Sequence, residues 1–388
     1  MTGKLPGIIE RMTQLIGSPS VSCADHALDQ SNLGVIHLLA DWAESIGFQA
    51  EIEEVAPGKA NLIATFGPRL SGAAPGGLVL SGHTDTVPCN PDLWQSDPFK
   101  ATVREEKLYG LGSCDMKGFF ALALEAATRF DPATLKEPLI LVGTCDEESS
   151  MSGARRLLTD SRQLGRKAII GEPTSLKPIR VHKGVMMEAI RVKGRAGHSS
   201  DPSLGANAIV GMHQVLTSLM ALQAEMKARY RHPSFKVDFP TMNFGAIHGG
   251  DNPNRICGHC ECLIDIRPLP GMRLEEVRQL VEERLSSHFP KESGLTLEVQ
   301  ALFPGVPPFE TAADAELTRF LETATGREAG AVNFGTEGPF FNALGLETIV
   351  VGPGSIDQAH QPNEFLSLSE IDPAVRLMEQ LIGRYCKA

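Results

Sequence analysis

Apolar positions first recur at helical spacing: Ile8, Met12, Leu15 and Ile16, then Ile36, Leu39, Ala43 and Ile46 before Gly47, which predicts two helices. The period then shortens. Phe48, Ala50 and Ile52 alternate as a strand, while LVLSGH (78–83), LILVGTC (139–145) and KAIIG (167–171) read as short buried strands with the helix GFFALALEAA (118–127) among them. Strands alternating with helices predict an α/β layer on a mostly parallel sheet.

From about residue 183 a self-contained pattern follows: strand VMMEAIRVKG, a helix, strands TMNFGAIHGG and RICGHCECLIDIR, helix LEEVRQLVEERL and strand LTLEVQ. This β-α-β-β-α-β order is a compact module. Ile209, Met212, Leu216, Leu219, Gln223 and Met226 are expected to be the core-facing stripe of its first helix. Beyond Pro304 the first pattern resumes, with ALGLETIVVGPG as a strand and Ile371, Val375, Met378 and Ile382 on a closing helix. The expected organisation is an α/β domain formed by residues 1–182 and 304–388, interrupted by an inserted α+β domain at 183–303.

Length and charge narrow the function classes. At 388 residues the chain exceeds what one core usually serves, and 42% hydrophobic with 21% charged residues is the composition of a globular protein. With 36 Lys and Arg against 47 Asp and Glu, the net charge of −11 disfavours nonspecific attraction to nucleic acid or to an anionic membrane. No apolar stretch reaches the roughly 18 residues of a membrane span. The N-terminal apolar run is broken by Glu10 and Arg11, unlike a secretory signal. Eight cysteines scattered from 23 to 386 fit free thiols in a reducing compartment, so a cytoplasmic location is expected.

Candidate chemistry gathers at the strand ends, in GHTD (82–85), CDMKG (114–118), CDEE (145–148), GEP (171–173) and QAHQP (358–362). Open α/β sheets place their sites at the carboxyl ends of strands, and metals need donors delivered from rigid elements. Taken singly, each acid also fits a helix cap or a solvated turn. Asp85, two residues beyond His83, is expected to accept the second imidazole N–H and so fix the tautomer. The adjacent Glu147 and Glu148 permit a division of labour, because a metal ligand has its lone pairs engaged and a general base must keep one free. Asp115, Glu148 and Glu172 with one hydroxide would balance two divalent cations, leaving His83 and His360 as neutral donors. Nitrogen and carboxylate donors without thiolate suit Zn²⁺ first, then Co²⁺ or Mn²⁺. The Cys257-x-x-Cys260 pair is expected to lie on opposite faces of a strand, which argues against a zinc knuckle.

The ordered blocks GHTDTVP, GLGSCDMKG, DEE, GEPTS, GHSSDP and AHQPNE span essentially the whole chain, which resembles the M20 family of dinuclear zinc hydrolases. The resemblance implies His83 and Glu172 on one zinc, Glu148 and His360 on the other, Asp115 bridging, Glu147 as general base and Asp85 behind the metal. It also implies that the inserted domain is a lid, whose His198 meets the substrate oxyanion, in several members across a homodimer. Asn254 and Arg267 match substrate-holding positions, although Cys257 stands where many relatives have Pro. The implied reaction is hydrolysis of an N-acyl amino acid, a small-molecule substrate. The sequence does not say which acid meets a substrate ammonium, and Glu337 in GTEGPF is taken as the candidate. A catalytically silent metal-binding scaffold is the non-enzyme alternative. Glu147, which no metal needs, argues against it.

Overall fold

The computed structural model describes residues 5–70, 76–286 and 288–387. The chain divides into two compact units, one of Met1–Arg180, Thr311–Gly330 and Thr336–Ala388, the other of Val181–Glu310 and Ala331–Gly335.

In the first unit, parallel pairing joins Leu139–Thr144, Leu78–His83, Lys167–Ile170 and Glu347–Val350 in that spatial order. Lys59–Phe66 and then Gln49–Ala56 extend the sheet antiparallel beyond Leu139–Thr144. The four parallel strands are buried along almost their whole length, as expected of a sheet covered on both faces. Helix Lys117–Ala127 is nearly all apolar and packs against Leu78–His83 and the helices Ile8–Ile16 and Ile371–Ile382. Parallel direction puts the carboxyl ends of these strands on one side, so residues just beyond 83, 144 and 170 emerge near one another.

Strand Lys59–Phe66 has no counterpart in the periodicity. Lys59 and Asn61 break the apolar run, yet both are buried: Lys59 reaches Asp29 and Asp146 at 2.8 Å, and Asn61 donates to the Gly153 carbonyl. Paired polar side chains are tolerated inside, and patterning alone does not reveal the pairing.

The second unit holds an antiparallel sheet ordered Thr241–Gly249, His259–Arg267, Met186–Lys193, Thr296–Ala301, with helices Ala208–Arg229 and Leu274–Ser286 packed on it. The buried stripe of the longer helix is Ala208, Gly211, Met212, Val215, Leu219, Leu222 and Met226. Ile209 is exposed and Leu216 and Gln223 are half-buried, so the core-facing set is rotated from the expected one. Gln223 sits at the boundary because its amide donates to the Met242 carbonyl.

The strand expected through 255–267 breaks after Ile256 and resumes at His259. That break turns Cys257 into the same core as Cys260 and Cys262, contrary to the opposite-face expectation, with its thiol donating to the His259 carbonyl. All eight cysteines are free thiols. Among the described residues, no helix is long and apolar enough to cross a membrane.

Candidate metal centre

His83 ends its strand and is 1% exposed. Its Nδ1 lies 3.0 Å from the backbone carbonyl oxygen of Asp85, and its Nε2 lies 3.0 Å from Asp115 Oδ1. The Asp85 carboxylate is 3.8 Å from Nδ1 and is engaged elsewhere. Its two oxygens accept the backbone N–H groups of Glu147 (3.2 Å) and Glu148 (3.1 Å). The expected carboxylate contact to the imidazole is therefore replaced by the carbonyl of the same residue. Nδ1 is still occupied, Nε2 still faces the cluster, and the side chain is freed to hold the Glu147–Glu148 turn.

Asp146 anchors that turn from the other side, accepting from Ser22 Oγ at 2.9 Å and pairing with the Lys59 ammonium. Glu172 follows Lys167–Ile170 through Gly171, where an added Cβ would stand 2.2 Å from the Phe119 ring, so only glycine permits this packing. His360 adopts φ 58°, a left-handed conformation that costs a non-glycine residue roughly 1–2 kcal/mol. Asp115 lies in the loop just before helix Lys117–Ala127.

Donor atoms of His83, Asp115 and Glu148 lie within 4.8 Å of one another. His360 Nε2 is 3.2 Å from Glu148 Oε1 and 3.6 Å from Asp115 Oδ2. Glu172 is buried as well, and the charge of Asp115 acts on its carboxyl. Four of the five proposed donors, His83, Asp115, Glu148 and His360, thus meet around Asp115, one of whose oxygens faces His83 while the other faces His360.

The electrostatics of this cluster fit a cation. Burial and the charges of neighbouring carboxylates push Glu147 and Glu172 well above the usual carboxyl range, and burial raises Asp85 to about 6. Burial opposes ionisation of Asp115, but its hydrogen bond to His83 and the fields of both histidines hold it low. Against burial, the hydrogen bond to Asp115 raises His83 well above its ordinary value, and the hydrogen bond to Glu148 raises His360 to about 8. Protons here do what a divalent ion would do better, namely offset several carboxylates brought together out of water.

Proton and cation therefore compete. At pH 7 a bound ion must displace at least the His360 proton, and a lower pH favours the proton. Ion affinity is expected to fall at least ~10-fold per pH unit below about 8. Calorimetric titrations at pH 6.5 and 8.5 check this, and equal affinities would contradict it.

Glu337 precedes helix Gly338–Ala343. It is 0% exposed and accepts from Thr144 Oγ1 at 2.9 Å, and burial raises it to about 7. In the second unit, His198 is exposed in strand Gly197–His198, paired with Arg255–Ile256, and its Nδ1 contacts Ser200 Oγ. Asn254 is exposed, and its carbonyl accepts from Ser199 N–H, which places it beside His198. Arg267 Nε pairs with Asp265 at 2.8 Å.

Two buried residues were not singled out by sequence. Lys117 donates to the Ser18 carbonyl, and burial lowers its ammonium to about 8 against the pull of Glu364 and Asp85. Glu364 accepts three backbone N–H groups from the Asp115 loop. Their only signal was membership of the quoted blocks CDMKG and AHQPNE.

The chain matches known proteins along its whole length. The chain is 48% identical over 390 residues to acetylornithine deacetylase of Proteus mirabilis (strain HI4320), covering 100% of this chain and 99% of the relative. It is 47% identical to the Pasteurella multocida (strain Pm70) protein of the same name, covering 99% of both. Its fold is similar to that of an M20 family metallo-carboxypeptidase from Sulfolobus solfataricus, with a TM-score of 0.75 at 18% identity over 97% of this chain and 98% of that one. A dinuclear metal-binding M20 peptidase from Bacillus subtilis aligns with a TM-score of 0.64 at 16% identity over 97% of each chain. The profile of peptidase family M20/M25/M40 matches residues 79–384, and the chain belongs to that family.

Proposed function

We propose that this protein hydrolyses N2-acetyl-L-ornithine to L-ornithine and acetate, a step of arginine biosynthesis. The observation that carries this reading is full-length identity of 46–48% to relatives named acetylornithine deacetylase. His83, Asp115, Glu148, Glu172 and His360 would hold two divalent cations, with Zn²⁺ favoured by the mixed imidazole and carboxylate donors and Co²⁺ or Mn²⁺ as substitutes. Once bound, such ions lower the pKa of water to about 7 and polarise a carbonyl.

The chain's own residues supply the rest. Glu147, held by Asp85 through its backbone N–H but not needed as a ligand, accepts the proton of the attacking water. It returns that proton to the departing α-amine as the amide C–N bond breaks, so acetate and free amine leave with the proton count balanced. His198 is assigned as donor to the tetrahedral oxyanion, a role worth about 3–4 kcal/mol for a typical donor. The planar guanidinium of Arg267 matches the substrate α-carboxylate, and Asn254 is assigned to hold the acyl amino acid. Glu337, being buried, is better placed to support Thr144 beneath His83 than to meet the substrate side chain.

The competing enzymatic readings are succinyl-diaminopimelate desuccinylase and a broad acylase or dipeptidase. Turnover of acetylornithine beside succinyl-diaminopimelate and an uncharged acetylated amino acid separates them. Acetylornithine is expected to lead by at least ~10-fold in kcat/KM, and equal turnover of all three would remove the assignment.

A homodimer through the second unit completes the reading. Its support is apolar exposure on that unit: Ile209, Val210 and Ile247 are 48%, 57% and 53% exposed, and strand Thr241–Gly249 is an edge of its sheet. If His198 acts across that dimer, mixing His198→Ala with an inactive Asp115→Ala protein restores activity through hybrid dimers. No recovery on mixing, with subunit exchange verified, counts against action in trans. The cytoplasm is the proposed location, supported by the free thiols.

A further inference from the structure

Outside the donor set, one buried carboxylate faces the loop that carries Asp115. Glu364 lies four residues beyond His360 and is 1% exposed. Its Oε1 accepts the backbone N–H of Cys114 at 2.8 Å and of Asp115 at 3.0 Å, and its Oε2 accepts that of Gly112 at 3.1 Å. These amides belong to a fully buried turn, where an N–H without an acceptor is costly.

The strap bearing Glu364 is itself tied down. Its carbonyl accepts from Gly110 N–H at 3.1 Å, Asn363 Oδ1 accepts from Gln95 N–H at 2.8 Å, and Phe365–Ser367 pairs antiparallel with Lys107–Tyr109. The buried ammonium of Lys117 supplies opposite charge nearby. A single side chain thus joins the segment carrying His360 to the loop carrying Asp115, although these donors are 245 residues apart in sequence (360 − 115). Three N–H groups converging on the two oxygens of one carboxyl group fix both its orientation and theirs, since hydrogen bonds weaken steeply away from linear geometry.

We propose that Glu364 is a positioning residue that sets the Asp115 carboxylate in register with His360. It acts through the Asp115 backbone and touches neither the substrate nor an ion. This rests on the reading of Asp115 as a shared metal ligand.

Glu364→Gln keeps the volume but turns an NH₂ group toward backbone N–H donors, so at least one of the three hydrogen bonds is lost. Three readouts test the role: amide exchange of the 110–116 segment in ion-free protein, Co²⁺ affinity with its visible absorption spectrum, and kcat against KM. The expected results are protection of 110–116 reduced at least ~10-fold, Co²⁺ affinity reduced ~10–100-fold with an altered spectrum, and kcat lowered ~10-fold or more at near-constant KM. Glu364→Ala should extend every effect. If it fails to fold, the isosteric variant carries the test.

Faster exchange with unchanged Co²⁺ affinity and spectrum would make Glu364 a purely structural strut and overturn the proposal. So would unchanged exchange. A wild-type protein that takes up no Co²⁺ would instead overturn the metal reading, and this role with it.

Discussion

Replacing Glu147 by Gln is expected to lower kcat by at least ~10²-fold while both ions stay bound, because general-base contributions typically amount to 10²–10⁴-fold. The substitution keeps the side-chain volume and leaves the backbone N–H to Asp85 in place, so the turn that presents Glu148 should persist. The lost function is specific: an amide cannot take the proton of the attacking water and hand it to the departing amine. Steady-state kinetics and elemental analysis of the same preparation check both halves. If Glu147→Gln sheds metal while Glu148→Gln retains it, the two acids have been assigned in reverse.

Asp115→Ala is expected to have the other large effect, and of a different kind. Asp115 faces His83 with one oxygen and His360 with the other. Its removal deletes the group that joins His83, Glu148 and His360 into one cluster. Loss of a partner behind a ligand already costs ~10–100-fold in affinity, so loss of a shared ligand should exceed 100-fold for at least one ion. Activity should fall with metal content and recover little at high metal concentration. Dialysis against limiting metal followed by elemental analysis reads this out. Two tightly bound ions in the variant would contradict the shared role.

The architecture was legible wherever one period dominated a segment. The strands at 78–83, 139–144 and 167–170 announce themselves because a sheet covered on both faces needs unbroken apolar runs. Lys59–Phe66 did not, because its polar residues are neutralised by partners far away in sequence. Candidate donors were readable as types at strand ends, since chemistry concentrates there and the ordered blocks resemble a known family. What sequence could not supply was which atom meets which. The Asp85 carboxylate was expected at His83 and lies on the Glu147–Glu148 turn, because parallel register sets His83 beside Thr144 and so brings that turn within reach. Glu337 is buried and accepts from Thr144, a contact that no periodicity announces. Cys257 turned inward because its strand breaks, which period-2 counting cannot foresee.

The proposed chemistry requires two divalent ions among His83, Asp115, Glu148, Glu172 and His360 to activate the attacking water. Anomalous scattering from crystals of fully active protein, at the absorption edge of whichever metal elemental analysis identifies, tests it most directly. Two peaks about 3.5–4 Å apart with Asp115 between them are expected. Full activity from crystals with no anomalous peak among these side chains would contradict it.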